Sequence, residues 1–534
     1  MVTIGLDRER LQIGKSPEEI DETLSKLGCS VEADALEINP NRPDLFSQIG
    51  VLRALEHYFG IGDFREYKTK RSSHECCAGE VDARPFIVCA VVRNVGFDRG
   101  ALEEVIDFQE LLHQTLGRKR RFAAIGLHDL KHIVFPLHYS TEKEEKSFIP
   151  LGENGERSLK QILEEDEKGI EYGHLLKGNE YPILADDEGK VLSFPPIING
   201  SLTTLKEKTR DLFIDVTGMS KKVPEEVLRV LVCELLDRFK GSEVERVKIA
   251  YPASEVETPD LDAEKRSINV RSITELTGVE AARDELIKSF EKMGHRASLN
   301  GDEIDLMIPC YRSDLLHRND LVEEFAIGYG YDRIDPILPL VWGSGRKNPL
   351  EKLSDRLREV MIGAGFIEVV TTSLSSGSEQ FHNMGIKESK GVEILNPISK
   401  DTGMVRSWLL PSLLSILRAN RHNELPQRVF EIGDMVKSVE NRRELSCVIE
   451  GSDVDFRMIK SISEGILMRM GIKAEYIPTS HESFIGGRCA FIFIAEKNLG
   501  ILGEMHPRVL RNFSLSSPVV ALEISVDGLH EVRV

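Results

Sequence analysis

Short β-rich runs and amphipathic helices alternate along this chain, cut by proline and glycine, with no fixed-period repeat and no low-complexity tract. That pattern sets solenoids and propellers aside. At 534 residues the chain is too long for one core, so about three or four domains are expected. A hydrophobic share of 41% and a charged share of 29% fit globular packing rather than disorder. The longest apolar stretches, Pro85 to Val92 and Leu228 to Leu236, fall far short of the ~20 residues that cross a bilayer, so no membrane contact is expected. The opening MVTIGLDRERL brings charge early and carries no cleavage pattern, and the eight scattered cysteines form no CxxC pair. A cytoplasmic chain with reduced thiols is the expectation. The 69 basic and 88 acidic residues leave a net charge of -19, so any nucleic-acid contact is local or supplied by a partner.

Punctuation divides the chain. Ser16-Pro17-Glu18-Glu19 predicts a helix ending at Gly28, and Asn39-Pro40-Asn41-Arg42-Pro43 leads to Asp44 as the expected N-cap of a second. The polar stretch Lys68 to Glu75 reads as a linker or mobile loop. Strands and helices mix from Arg84 to about Ala250, and Pro252 to Asp260 reads as a boundary. Residues 262–336 suggest a winged-helix-like unit, with its last helix from Asp320 to Tyr329. Gly343-Ser344-Gly345-Arg346-Lys347 then opens a final domain of alternating strands and helices.

Four stretches carry candidate chemistry. In Tyr311-Arg312-Ser313-Asp314, followed by Asp320 to Glu324, helical spacing puts Asp320, Glu323 and Glu324 on one face, with Asp314 able to swing toward them. Hard carboxylate oxygens suit Mg²⁺, while Asp320 with Glu323 also reads as a plain capping pair. Arg118-Lys119-Arg120-Arg121 could hold a phosphate backbone or be a solvated loop. His128 beside Asp129 is not a dyad, because neighbouring strand residues point to opposite faces. On the strand Phe213 to Thr217, Asp215 and Thr217 share a face that either meets water or lines a pocket near Ser193. No P-loop, GxSxG, HExxH or GxGxxG constellation occurs.

Taken in order, NPNRPDLFSQIG, RFAAIGLHDL, FPPIING, LFIDVTG, YRSDLLHRNDLVEEFAIGYGYDRI, NPLEKL, VRSWLLPSLL, RVFEIGD and GEMHPRVL resemble the β subunit of phenylalanine–tRNA ligase, in its shorter archaeal or eukaryotic form. The resemblance runs from residue 39 to residue 510. It implies a multidomain α/β and α+β chain: an N-terminal module (1–85), an editing domain of the B3/B4 type (86–255), a winged-helix-like B5-type module (260–338) and a class II synthetase-like antiparallel-sheet domain without catalysis (345–534). It implies an (αβ)₂ heterotetramer in which the α subunit uses ATP and Mg²⁺ to charge tRNA(Phe) with phenylalanine. The stretch Pro518 to Val526, PVVALEISV, lacks the arginines and the Glu-Arg ending that a working class II site needs, which turns this domain toward the subunit interface. The chain ends soon after this fold, which implies no anticodon-binding C-terminal domain of the longer bacterial form. The same resemblance assigns Asp314, Asp320, Glu323 and Glu324 to a magnesium site. It offers Leu184, Ser193, Asn199, Asp215 and Thr217 as the lining of a pocket that hydrolyses tyrosine wrongly attached to tRNA(Phe). A free-standing deacylase and a scaffold without hydrolysis are the rival readings.

Overall fold

The computed structural model describes every residue except 12, 177, 179, 340–342, 390 and 534. Its contacts divide the chain into two compact units, Met1–Leu338 and Pro339–Val534.

The first unit opens with helices α1 (Pro17–Lys26) and α2 (Gln48–Tyr58) beside a small antiparallel sheet. Ser16 and Glu19 form a capping box on α1. Asp44 does not cap α2. The capping oxygen comes from Ser47, which accepts from Gly50 N, while Asp44 sits in a 3-10 turn and pairs with Arg42. The α2 cap therefore starts three residues later than the proline turn suggested.

The centre of the unit is a mixed sheet, ten-stranded among the described residues, built from β1 (Thr69–Ala78), β2 (Phe86–Arg93), β3 (Ala123–Asp129), β4 (Leu137–Glu142), β5 (Tyr181–Ala185), β6 (Val191–Phe194), β7 (Ile198–Asn199), β8 (Leu212–Gly218), β9 (Glu243–Tyr251) and β10 (Ser254–Thr258). The spatial order is β7-β6-β5-β4-β1-β9-β2-β8-β3, with β10 on β9. Only the β1–β9 and β1–β4 pairs in it are parallel. Helices α3 (Arg99–Gln114) and α4 (Lys222–Arg238) supply residues such as Val105, Phe108, Leu231 and Leu235 to the same core as β2 and β8.

One expectation fails here. Lys68 to Glu75 is not a loop: Thr69–Glu75 makes up most of β1, inside the sheet. The stretch Pro252 to Asp260, read as a boundary, carries the strand β10: it pairs with β9, and the Thr258 hydroxyl accepts from Cys89 N at 2.9 Å and donates to Cys89 O at 2.7 Å. Backbone pairing to a neighbouring strand overrides a polar composition.

Residues 264–333 form a three-stranded antiparallel sheet (Glu264–Asn269, Arg296–Asn300, Glu303–Ile308) with α5 (Arg283–Lys292) and α6 (Arg318–Tyr329) packed through Leu286, Phe290, Val322 and Phe325. The second unit is built on a seven-stranded sheet among the described residues: β11 (Ile367–Glu368), β12 (Gln427–Lys437), β13 (Glu440–Glu450), β14 (Glu475–Pro478), β15 (Phe484–Ile494), β16 (Lys497–Met505) and β17 (Val519–Ser525), in the order β11-β12-β13-β17-β16-β15-β14. All its pairs are antiparallel except the edge pair β11–β12. No described helix is long and apolar enough to cross a membrane, and the eight cysteines are free.

Candidate active site

Strand β8 lies between β2 and β3 and is buried along its whole length. A carboxylate there needs a partner. Asp215 finds it across the strand pair: His128 Nε2 donates to Asp215 Oδ1 at 2.8 Å, leaving Nδ1 to accept from the Thr203 hydroxyl at 2.7 Å. His128 is fully buried. The register puts Gly126 directly opposite Asp215. A Cβ at Gly126 would stand 2.2 Å from Asp215 Oδ1 and 2.5 Å from His128 Nε2, so the pair occupies space that only glycine leaves open.

Asp215 and Gly126 form one wall of a cavity of about 210 Å³ whose other walls include Ser193, Asn199, Arg120 and Glu110. The Ser193 hydroxyl is buried without a hydrogen-bond partner among the described residues. Arg120 is carried in by a turn in which Arg118, Lys119 and Arg120 all adopt positive φ. Its guanidinium donates to Glu110 Oε1 at 2.7 Å and to the Ile197 carbonyl at 3.0 Å, and lies over the Tyr172 ring. Its Nε has no partner among the described residues. His113 accepts the Ile125 N–H at Nε2 and so donates through Nδ1 to Glu110. Burial pushes the Glu110 carboxyl up, but His113 and Arg120 more than reverse it and hold it at about 2. Burial also lowers His113. The basic run is thus divided: Arg120 is structural, while Arg118, Lys119 and Arg121 are exposed beside the cavity wall.

Of the five residues expected to line this pocket, the structure places Ser193, Asn199 and Asp215 in it. Leu184 and Thr217 lie outside. Leu184 is fully buried in the main core. Thr217 shares the face of Asp215, but Arg84 covers it: the Thr217 hydroxyl accepts from Arg84 Nε at 3.1 Å, and the Thr217 carbonyl from Nη2 at 2.7 Å. His128, Gly126, Thr203 and Arg120 were not singled out for this pocket by sequence. The available sign was the isolated glycine in strand β3, two residues before a histidine on the same face.

The four carboxylates behave differently. Glu323 and Glu324 are neighbours on α6, about 100° apart around the axis, so Glu323 is exposed and Glu324 buried. They do not share a face. Arg312 takes both Asp314 (2.8 and 2.7 Å) and Glu324 (2.7 and 2.6 Å), and His295 donates to Glu324 at 2.7 Å. Asp320 accepts from the Leu316 and His317 N–H groups and forms a capping box with His317, not a pair with Glu323. Among the described residues no group of three or more His, Cys, Asp or Glu is placed to hold a metal ion. The arrangement does not fit the expected Mg²⁺. Instead the two arginine-bearing motifs meet: Arg42 grips Asp44 at 2.9 Å and stands 3.9 Å from Asp314, while Arg53 lies over Tyr311 and donates to Asp44 O.

The domain matches define the class first. Residues 93–227 match the B3/4 domain, 266–331 the tRNA synthetase B5 domain, and 334–526 the phenylalanyl tRNA synthetase beta chain CLM domain. These are the parts of a tRNA synthetase chain. The phenylalanine–tRNA ligase beta subunit of Archaeoglobus fulgidus is 36% identical over 543 aligned residues, covering 99% of each chain. That of Pyrococcus abyssi is 37% identical over 504, covering 92% of this chain and 90% of its own. A solved N-terminal fragment of the Pyrococcus horikoshii phenylalanyl-tRNA synthetase beta subunit superposes with a TM-score of 0.59 at 34% identity, covering 62% of this chain and all of the fragment. The chain belongs to the phenylalanine–tRNA ligase beta-subunit family.

Proposed function

We propose that this chain is the β subunit of an (αβ)₂ phenylalanine–tRNA ligase, in which a separate α subunit charges tRNA(Phe) with phenylalanine from ATP, and that the β8 cavity removes tyrosine from Tyr-tRNA(Phe) by hydrolysis. One observation carries the hydrolytic part: an unpartnered buried hydroxyl, Ser193, lines a small cavity that also holds an oriented carboxylate, Asp215. The chemistry needs this. Tyrosine exceeds phenylalanine by one hydroxyl, and an apolar synthetic pocket rejects an added hydroxyl poorly. A second pocket with an unsatisfied polar group favours the tyrosyl ring, because that hydroxyl completes its hydrogen bonding.

Asp215 is held by His128, itself braced by Thr203, so its orientation is fixed before substrate arrives. It accepts a proton from a water attacking the ester carbonyl and returns it to the ribose oxygen as the ester C–O bond breaks; tyrosine and tRNA(Phe) leave. The exposed Arg118, Lys119 and Arg121 beside the wall supply the local positive charge that an acidic chain needs for a phosphate backbone. The lack of arginine in β17 supports assigning amino-acid activation to the α subunit, and the exposed Ile362, Ile367, Val370, Leu395 and Ile398 of the second unit suit burial against a partner. A chain acting in the cytoplasm is part of the same reading.

The test is tyrosine release from Tyr-tRNA(Phe) by the assembled enzyme. Asp215→Asn lowers the rate by about 10²-fold or more if this residue handles the proton. Hydrolysis at the wild-type rate in that variant, with charging intact, would remove Asp215 from the chemistry, and no tyrosine release by the wild-type enzyme would leave the scaffold reading in place.

A further inference from the structure

The second unit holds a cavity of about 830 Å³ that the proposed hydrolysis does not use. Strands β13 and β17 lay its floor. Their register sets Glu444 opposite Ser525 and Ser446 opposite Glu523, so the period of two gathers all four on one face. Farther along that face Val448, Val519 and Ala521 join an apolar core. The polar residues are an interruption, and the cavity opens over them. Phe381, Trp408 and Phe491 supply apolar walls.

The two acids differ. Glu523 is satisfied by the Ser446 hydroxyl and by Leu409 N–H at 3.2 Å. Glu444 is 6% exposed and accepts no hydrogen bond from any described residue; Lys437 approaches only to 4.0 Å. Burial raises both carboxyls, and the adjoining Glu523 adds to the rise at Glu444. A buried acid without a donor is stable when protonated or beside a cation. No described trio of ligating side chains offers a metal site, whereas aromatic walls attract an organic cation through both ring contact and charge.

We infer that this cavity binds a small aromatic ammonium ligand, its nitrogen against Glu444 and Glu523 and its ring against Trp408 and Phe491. The inference stands in a different unit from the hydrolytic pocket and does not depend on it. Binding transfers no bond; it displaces the proton of Glu444 to solvent. The other ionisable groups around that carboxyl and its cavity are Glu523, Lys437, Arg442, Asp527, His481 and Glu531.

Calorimetric titration of the full chain tests it, with phenethylamine as the probe and 3-phenylpropionate as its oppositely charged counterpart. Phenethylamine binds one site and releases a proton, read from titrations in two buffers of different ionisation enthalpy. Glu444→Gln weakens it at least tenfold and removes the proton release; phenylpropionate gives no heat. Phe491→Ala, at a half-buried wall position, weakens the same binding and serves if Glu444→Gln melts early. Absence of phenethylamine binding, equal affinity in both variants, or equal binding of phenylpropionate would overturn the inference.

Discussion

Arg312→Ala is the perturbation whose size the structure fixes best. Arg312 holds two buried carboxylates at once, with four contacts between 2.6 and 2.8 Å, and its own side chain is almost wholly inaccessible. Removing it leaves Asp314 and Glu324 buried, close together and short of positive charge. Breaking a buried pair in this way costs about 3–5 kcal/mol. The first unit spans Met1–Leu338, so at about 2.1 cal/mol/K per residue its unfolding entropy is roughly 0.7 kcal/mol/K. The melting temperature therefore falls by about 4–7 °C where the unit unfolds cooperatively, read by circular dichroism or calorimetry on the full chain. The pH dependence gives a second reading. Burial pushes the Glu324 carboxyl up, but Arg312 and then His295 more than reverse this and hold it well below the usual carboxylate range. A folded pKa below the unfolded one stabilises fully above the ordinary value of 4.5 and is lost as pH falls beneath it. The wild type thus loses stability below that pH, and Arg312→Ala loses less. A melting point within 1 °C of wild type, or an unchanged acid slope, would refute the buried-network reasoning.

Other outcomes follow from the same geometry. Glu323→Gln, at an exposed position, changes stability by no more than about 0.5 kcal/mol by thermal melting, and Mg²⁺ titrated into the full chain without its partner gives no binding isotherm. Thr217→Val lowers the melting temperature, because Arg84 loses an acceptor in a buried site, yet tyrosine release keeps most of its rate; a rate loss as large as that of Asp215→Asn would return Thr217 to the pocket. Gly126→Ala forces the Asp215–His128 pair apart and abolishes tyrosine release, while a variant retaining full hydrolysis would show that the pair is not needed.

The sequence carried the order of the segments and the strand Phe213 to Thr217, because local pattern and ordered motifs need no knowledge of pairing. Ser193, Asn199 and Asp215 were placed by resemblance and meet in one cavity. What escaped depended on neighbours. Lys68 to Glu75 reads as a loop by composition, and only its parallel partner β9 makes it a strand. His128 was weighed against Asp129, its chain neighbour, whereas its true partner lies across the sheet, 87 residues away. The same holds for Arg312: alone, the acidic helix looks like a cation site, but the arginine two residues before Asp314 already neutralises the buried acids.

Phenylalanine-dependent ATP–pyrophosphate exchange, measured on the purified chain and again after its α subunit is added, bears most directly on where activation occurs. No exchange by the chain alone and recovery with the partner is the expected result. Robust exchange by the chain alone would place a working activation site in a unit whose β17 strand carries no arginine, and would contradict that division of labour.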